Sequence, residues 1–306
     1  MSLRIAAIVP VFNRSRVALE ALDSVLAQSL PPAQLIVVDD GSTDDTAARV
    51  EEWIAAKRPP FETRLIRQTN QGAAVARNRG AAEAPSGEVL AFLDSDDLWP
   101  PDYLRRVHDA FASRPDVVAT IVDRMSHYYA TGARSLHGYA RYTDGGVNIT
   151  TRLFMDGPPG TPNTAFRARA FQQAGGYDAQ WPTGQDYDLM LRVSLLGPWL
   201  HVPGAPVTAR NHLELVAGSG EPPLSKKFDD RIFRRAQMLH RFIFECGGAV
   251  AVPEKLWRGR LGEIWFRAGR KLAALHRHDD ARACYRRTLE LCPWHLRARL
   301  RLHLTS

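Results

Sequence analysis

The alternation of apolar and amphipathic segments in the first 114 residues constrains the fold of this chain more than any other feature of its sequence. Four short, mostly apolar segments have the character of buried strands, and the segments after them carry apolar side chains at helical spacing. The strands are predicted at 3–11, 35–38, 63–68 and 88–93, and the helices at 16–29, 46–57, 73–84 and 101–114. This order predicts an α/β fold in which crossover helices cover a mostly parallel sheet.

The remainder of the chain is less regular. Residues 131–160 are rich in Gly, Pro and Thr, and they are interpreted as loops with short strands. A helix is predicted at 186–196, a late strand at 202–212, and a hinge at 218–223. After the hinge, helical patterns predominate, so the sequence predicts a C-terminal α-helical appendage.

Charge is distributed unevenly over the 306 residues. The net charge is +7, but residues 225–306 alone hold 19 lysines and arginines against 8 acids. This basic segment is interpreted either as a solvated helical face or as a surface that attracts an anionic membrane or an acidic partner. Because no nucleic-acid-binding motif accompanies the charge, nucleic acid is not an expected partner.

The sequence also carries information about location. It contains no apolar run near the roughly 18 residues that a membrane-spanning helix needs. The first strand lacks the basic flank and cleavage site of a secretory signal. The cysteines Cys246, Cys284 and Cys292 lack the spacing of a metal site and are interpreted as packing residues. We therefore expect a cytoplasmic protein, which the basic segment would hold peripherally at the inner membrane face.

Two acidic clusters come directly after predicted strands, at 39–44 and 94–97. Ligands of open α/β sheets bind beyond the carboxyl ends of the strands, where these clusters fall. Ser42 and Asp44 are sufficiently explained as turn and helix-cap residues. The three acids within 94–97 repel one another, and a hard cation bound by their carboxylate oxygens would relieve that repulsion. The sequence therefore predicts a Mg²⁺ or Mn²⁺ site at 94–97.

Several motifs, in this order and spacing, resemble those of the family 2 glycosyltransferases of GT-A fold. The resembling segments are 5–13, 35–42 with Asp-Asp-Gly-Ser, 70–72 with 77–78, and 92–97 with Asp-Ser-Asp-Asp. The resemblance implies a catalytic domain over 1–220, followed by the helical domain over 225–306. It further implies an inverting, metal-dependent transfer of one sugar from a nucleotide-diphosphate donor to an acceptor hydroxyl, in the assembly of a cell-surface polysaccharide or glycoconjugate.

The resemblance also assigns roles to individual residues. The implied donor-binding residues are Pro10, Asp40, Arg77, Asp94 and Ser95. Asp96 is implied as a ligand of Mn²⁺ or Mg²⁺, and His212 as a residue that approaches the metal or the diphosphate. From local sequence alone, Arg77 is equally compatible with a surface position on its helix. The donor is expected to be a UDP-sugar, with dTDP and GDP as alternatives, and the acceptor a saccharide or a lipid-linked molecule.

A candidate base lies much later in the chain. From local sequence, Asp186 is simply an acid in the first turn of a helix, where it complements the helix dipole. Residues 184–189, however, resemble the acceptor-side motif of the family, which implies that Asp186 is the catalytic base. Gln185 stands where the family usually has Glu. Asp188 is the alternative base.

The basic segment contains one repeat-like pattern. Within 262–293 the residues Trp265, Gly269, Ala281, Tyr285 and Pro293 are spaced as in a single tetratricopeptide repeat. Two further helices are predicted at 226–244 and 253–259. One repeat cannot bury its own apolar face, so we expect it to pack on the catalytic domain or on a neighbouring chain.

Two other functions fit parts of the sequence. A non-catalytic sugar-nucleotide binding module on a helical scaffold is one, although the acids Asp94, Asp96 and Asp186 argue against it. A nucleotidyltransferase is the other, since it also combines an α/β sheet with metal-binding acids. Residues 11–15 lack the Gly- and Arg-rich phosphate loop expected of a nucleotidyltransferase after the first strand.

Overall fold

The structure is a computed structural model, and it describes residues 3–84, 88–129, 131–143, 148–211 and 229–304. The strands are β1 (Ile5–Val11), β2 (Gln34–Asp39), β3 (Glu62–Arg67), β4 (Val89–Phe92), β5 (Ala119–Tyr128), β6 (Ala133–His137), β7 (Thr164–Arg167) and β8 (Trp199–Asn211). The helices of the first two thirds are α1 (Ser15–Leu26), α2 (Thr46–Lys57), α3 (Ala73–Ala82), α4 (Tyr103–Ser113), α5 (Ile149–Asp156), α6 (Ala168–Gln173) and α7 (Gln185–Ser194). The C-terminal helices are α8 (Arg231–Phe244), α9 (Gly248–Ala251), α10 (Glu254–Ala274), α11 (His278–Leu291) and α12 (Leu296–Leu304).

The eight strands form one sheet in the order β3-β2-β1-β4-β7-β5-β6, with β8 also paired to β5. The pairs β1–β2, β1–β4, β2–β3 and β5–β8 are parallel, whereas β7 and β6 pair antiparallel with their neighbours. Helices cover the sheet, so the predicted α/β GT-A-like class with a helical C-terminal appendage is confirmed. Because β1, β2 and β4 are parallel, their carboxyl ends meet at one edge.

The strands at the centre of the sheet are apolar because both of their faces are covered. Every residue of β1 and β2 is buried. Alternate side chains belong to two apolar clusters, with Ile8 and Val38 on the α3 side and Val9 and Val37 on the α1 side. A Cβ on Gly80 of α3 would lie 2.5 Å from Ile8 Cγ2. The missing side chain therefore lets α3 lie close to the sheet.

The middle of the chain differs from the prediction. Residues 149–156 form α5 and not a loop, and the prediction also omitted β5, β7 and α6. The side chain of Asn148 accepts a hydrogen bond of 2.7 Å from Thr150 N, which satisfies a free donor at the start of α5. The loop prediction was wrong because it followed the Gly, Pro and Thr content of the region and did not consider Asn148 as the capping residue of a helix.

The second predicted C-terminal helix is longer than expected, and it packs closely on the helix that follows it. Helix α10 runs well beyond the predicted 253–259, since neither Gly259 nor Gly262 ends it. A Cβ on Gly262 would meet Cys292 Sγ at 2.6 Å, and one on Gly269 would meet Tyr285 Cε1 at 2.6 Å. These glycines allow close packing of α10 on the segment formed by α11 and the turn after it. The helix pair is present, and its identity as a tetratricopeptide repeat stays a prediction.

The helical appendage and the sheet share one apolar core. A single buried cluster contains Phe166 of β7, Tyr187 of α7, Phe242 of α8 and Trp265 of α10. The rings of Phe154 and Phe242 lie 6.1 Å apart across this contact. The predicted hinge at 218–223 lies outside the described residues, and the two-domain division stays a prediction. Across the described ranges, we find no helix with the length and apolarity that a bilayer span requires.

Candidate functional site

A cavity of about 520 Å³ lies between α3, the loop after β4, the start of α7 and helix α8. It is lined by Ala73, Arg77, Asp94, Pro158, Thr161, Pro182, Thr183, Gly184, Gln185, Asp186, Tyr187, Arg231, Arg235 and Met238. Residues from five separate parts of the sequence therefore converge on one space. Arg77, at one side of the cavity, is only 9% exposed, whereas Arg231, at another side, is exposed to solvent.

An ion pair forms part of the cavity wall. Arg77 Nη2 lies 2.5 Å from Asp94 Oδ1, and Arg77 Nη1 lies 3.4 Å from Gln185 Oε1. The Arg77 guanidinium also lies over the Tyr177 ring, 5.2 Å from its centroid. Burial alone would lower the pKa of Arg77, but the nearby Asp94, Tyr177 and Asp186 raise it above its usual value. Arg77 is thus a permanently charged residue of the cavity, and the alternative surface position is excluded.

Asn78, the residue after Arg77, holds the backbone of Tyr177 by two hydrogen bonds. The Asn78 amide accepts from Tyr177 N at 2.9 Å and donates to Tyr177 O at 2.7 Å. This pair of bonds fixes Tyr177, and Tyr177 in turn packs on Arg77. The Arg-Asn pair of α3 therefore supplies one cavity residue and one residue that supports it.

The loop after β4 concentrates negative charge. Asp97 is 8% exposed, and burial together with Asp96 and Asp94 raises its pKa well above the usual range. Its carboxylate accepts a hydrogen bond of 3.0 Å from Arg210 N, while Arg210 Nε donates to the backbone oxygen of Asp96 at 2.6 Å. The side chains of Asp94 and Asp96 are each 28% exposed, and Arg14 Nη2 lies 3.8 Å from Asp96. These two carboxylates are partly accessible, whereas Asp97 is an internal support.

The donor chemistry of this loop suits a hard divalent cation. Asp94 and Asp96 offer partly exposed carboxylate oxygens, which Mg²⁺ and Mn²⁺ prefer, and such ions take their remaining ligands from water and substrate phosphates. Three carboxylates within four residues repel one another, and a cation bound at Asp94 and Asp96 would relieve that repulsion. Within the described segments no group of three His, Cys, Asp or Glu side chains could hold a metal alone.

Asp40, the residue directly after β2, is held in place by hydrogen bonds to its carboxylate. Asp40 accepts hydrogen bonds from Gln68 Nε2 at 2.8 Å, Gln71 N at 2.9 Å and Gly72 N at 2.8 Å. These bonds hold the segment before α3 against the end of β2. Pro10 pairs with Val38 in the neighbouring strand and is buried. A nucleotide contact by Pro10 or Asp40 stays a prediction, and neither residue lines the cavity.

Asp186 lies in the first turn of α7 and lines the cavity. Its Oδ1 accepts a hydrogen bond of 2.9 Å from Tyr187 N. Burial raises the pKa of Asp186, Arg77 opposes this rise, and Asp94 adds to it. A carboxylate with a raised pKa is a better proton acceptor than an ordinary aspartate, because a base is most effective when its pKa approaches the working pH.

Asp188, the alternative base, has another role. It is 3% exposed, and its Oδ2 lies 2.5 Å from Arg192 Nη2 and 2.9 Å from Arg192 Nε. Arg192 also donates to the backbone oxygens of Ala174 and Gly176. Asp188 is absent from the cavity lining. Its carboxylate is therefore committed to a structural ion pair.

The structure brings three of the predicted site residues, Arg77, Asp94 and Asp186, into one cavity. Ser95 and Asp96 lie on the same loop as Asp94 but outside the cavity lining, and His212 lies outside the described residues. The cavity residues that the sequence did not predict include Thr161, Arg231, Arg235 and Met238. No motif marks them, and only the four-residue spacing of the two arginines indicates that they share a helix face.

Comparison with known proteins identifies similarity to glycosyltransferases. The family model described as "Glycosyl transferase family 2" matches residues 6–172. An uncharacterized glycosyltransferase of Nostoc sp. is 38% identical over 119 residues, which cover 39% of this chain and 36% of the relative. The chondroitin synthase of Escherichia coli is 26% identical over 200 residues, covering 63% of this chain and 27% of the synthase. The chain thus spans about a third or less of the length of these curated relatives.

Two solved structures share the fold. The crystal structure of S. aureus TarS 1-349 has a TM-score of 0.67 at 17% identity, covering 99% of this chain and 87% of that chain. The mannosyltransferase PcManGT of Pyrobaculum calidifontis, in complex with GDP-Man and Mn²⁺, has a TM-score of 0.57 at 21% identity, covering 98% of this chain and 79% of that one. Identities this low establish the likeness of the fold alone.

Proposed function

The chain belongs to glycosyl transferase family 2, and on this basis we propose that it transfers a single sugar from a nucleotide-diphosphate donor to an acceptor hydroxyl with inversion at the anomeric carbon. The observation that carries the proposal is the position of Asp186 in the same cavity as the Arg77–Asp94 ion pair. The implied base and two of the implied donor-binding residues, Arg77 and Asp94, therefore border one space, which is large enough for a sugar ring.

In the proposed mechanism Asp186 accepts the proton of the acceptor hydroxyl. The hydroxyl oxygen then attacks the anomeric carbon, and the nucleoside diphosphate departs on the opposite face. Arg77 holds the Asp94 carboxylate in place, so that Asp94 can accept hydrogen bonds from the sugar or the ribose.

A divalent cation is part of the proposal. Asp96, beside Asp94, would hold Mn²⁺ or Mg²⁺ together with the donor diphosphate, and the ion would supply Lewis-acid stabilisation of the leaving group. The chain's own contribution is the placement of these carboxylates. Arg210 fixes the loop by its bonds to the Asp96 carbonyl and the Asp97 carboxylate, so both acids are preorganised.

The structural neighbours support the donor class. TarS was solved in complex with UDP-GlcNAc, and PcManGT with GDP-Man and Mn²⁺. For this chain we propose a UDP-sugar first, with GDP- and dTDP-sugars as alternatives, and a saccharide or lipid-linked acceptor of cell-surface glycoconjugate assembly. A non-catalytic binding module would bind the same nucleotides without consuming the sugar, so donor hydrolysis measured by nucleotide release separates the two functions. A nucleotidyltransferase would instead release pyrophosphate from a nucleoside triphosphate.

Replacing Asp96 by Ala should abolish the metal-dependent part of donor binding, because the variant lacks a carboxylate ligand next to the diphosphate. The measurement is an isothermal calorimetric titration of the protein with UDP-sugar, in the presence and in the absence of Mn²⁺. Asp109→Ala is the matched control, since this acid is exposed on α4 and pairs with the neighbouring His108. Equal Mn²⁺-dependent affinities of Asp96→Ala and wild type would contradict the metal site.

The last helix supports the proposed contact with an anionic membrane. Leu296, Leu300 and Leu304 lie four residues apart on one face of α12 and are 75%, 61% and 67% exposed. Trp294 precedes them and is 84% exposed, and basic residues alternate with the leucines. An exposed apolar row with flanking arginines has the pattern of a helix that lies in a membrane interface.

Co-sedimentation with vesicles tests this contact. We expect the protein to pellet with phosphatidylglycerol vesicles at low salt and to be released as the salt concentration rises, because the charge contribution is screened. Leu300→Glu should weaken binding, whereas Leu136→Glu, at a residue 60% exposed on β6, is the control for an apolar-to-acidic change elsewhere. Absence of the wild-type protein from the pellet at low salt would remove the membrane contact.

A further inference from the structure

Helix α8 carries four arginines that fall into two groups. Arg234 Nε lies 2.9 Å from Asp230, and Arg241 Nη1 lies 2.7 Å from Asp178, so both are neutralised by neighbouring acids. Arg231 and Arg235 instead line the cavity that contains Asp186. The residues of the second group are one helical turn apart and therefore project on the same side of α8.

Neither cavity arginine has an acidic partner among the residues that the structure describes. The Arg235 guanidinium lies over the Tyr187 ring, 4.8 Å from the centroid, and its buried Nε has no hydrogen-bond partner in the described part of the chain. A buried donor of a charged group that stays unpaired costs free energy, and a ligand bound in the cavity would supply the missing acceptor. The packing on Tyr187 fixes the direction of the guanidinium and leaves its charge uncompensated.

The acids of the cavity do not compensate this charge. Asp94 is paired with Arg77, and among the described residues Asp186 forms no ion pair with Arg231 or Arg235. Arg77 is buried and Arg231 is exposed, so the cavity extends from the Arg77 side to an opening on the α8 side. A donor bound against the loop after β4 occupies the inner side. The two arginines therefore border the part of the cavity that remains for the second substrate.

We propose that Arg231 and Arg235 form a subsite for an anionic group of the acceptor, a phosphate or a carboxylate close to the hydroxyl that receives the sugar. This inference rests on the proposed glycosyl transfer and specifies the class of acceptor. Two guanidinium groups one turn apart can bind the oxygens of one anion by charge-assisted hydrogen bonds. Anchoring of the anion at the opening would hold the neighbouring hydroxyl near Asp186.

The experiment uses simple anions, because the acceptor is unidentified. Binding of glycerol 3-phosphate and of glucuronate is measured by saturation-transfer NMR on the full chain with saturating UDP and Mn²⁺, and glycerol and glucose serve as the neutral counterparts. Both Arg231→Ala and the double variant Arg231→Ala/Arg235→Gln are compared with wild type. The control is Arg267→Ala, at an exposed arginine on α10 that is not part of the cavity.

We expect the anions to bind wild type and Arg267→Ala alike, and the neutral counterparts to bind far more weakly. Loss of one charge-assisted contact should raise the Kd of the anion about tenfold in Arg231→Ala, and the double variant should lose still more. Arg231 is exposed, so its replacement tests the subsite even if the double variant unfolds. The tighter-binding probe identifies whether phosphate or carboxylate is preferred.

Three results would overturn the subsite. These are equal binding of charged and neutral probes, equal anion affinity of Arg231→Ala and Arg267→Ala, and displacement of UDP by the anions, which would place them in the donor site. Failure of the proposed function is distinguishable, because wild type would then not bind UDP with Mn²⁺ or release nucleotide from a UDP-sugar. The subsite can thus fail while donor binding and hydrolysis persist.

Discussion

Asp186→Asn should lower turnover of the sugar donor roughly 10²–10⁴-fold while it leaves the affinity for the donor nearly unchanged, because asparagine keeps the shape of the side chain but cannot accept the proton. Nucleotide release, measured under single-turnover conditions, gives the rate, and calorimetry with the unreactive nucleotide gives the affinity. Turnover at the wild-type rate would exclude Asp186 as the base.

The same variant has an expected effect on stability. Burial raises the pKa of Asp186, which means that the folded protein favours the protonated acid. The stability contributed by the protonated form is complete below the unfolded pKa of an aspartate and is lost as pH rises through the higher folded pKa. At neutral pH the ionised carboxylate is therefore a cost, so Asp186→Asn should melt no lower than wild type. In wild type, kcat/KM should fall as pH drops through that raised pKa.

Asp188→Ala should show the opposite combination. We expect it to lower the free energy of unfolding by about 3–5 kcal/mol, the range for removing one partner of a buried ion pair. The loss leaves the Arg192 charge uncompensated, and Arg192 also holds the carbonyls of Ala174 and Gly176. Urea denaturation followed by circular dichroism measures the change.

The Asp188 prediction has an internal control. Asp109→Ala removes an exposed acid and should change the free energy of unfolding by less than about 1 kcal/mol. In the double variant Asp188→Ala/Arg192→Leu, part of the lost stability should return, because the uncompensated charge is gone. A fully stable Asp188→Ala protein without turnover would instead make Asp188 the base. One measurement of turnover and one of stability thus distinguish the role of Asp186 from that of Asp188.

The first half of the fold was predictable because the apolar pattern of each segment matches the burial of its residues in the folded protein. The strands β1 and β2 are apolar along their whole length since both faces are covered, and helix α2 was predicted at its observed bounds, 46–57. The strands β5 and β7 were missed. The four residues of β7 lie between two antiparallel neighbours, and that burial is set by residues distant in sequence.

The site was predictable where a motif carries the chemistry and not where packing does. Asp94 and Asp186 were identified from motifs and lie in one cavity. The pairing of Arg77 with Asp94 required the close approach of α3 to the sheet at Gly80, which no local pattern encodes. The arginines of α8 reach the cavity only because Phe242 and Trp265 pack that helix against the rest of the apolar core.

The position of α8 has a consequence for the synthesis of the protein. A nascent chain that has left the ribosome as far as residue 211 contains the sheet and every acid of the proposed mechanism. It still lacks the wall formed by Arg231, Arg235 and Met238. The cavity stays open to water on that side until α8 has emerged and docked, so an incomplete chain is not yet a working transferase.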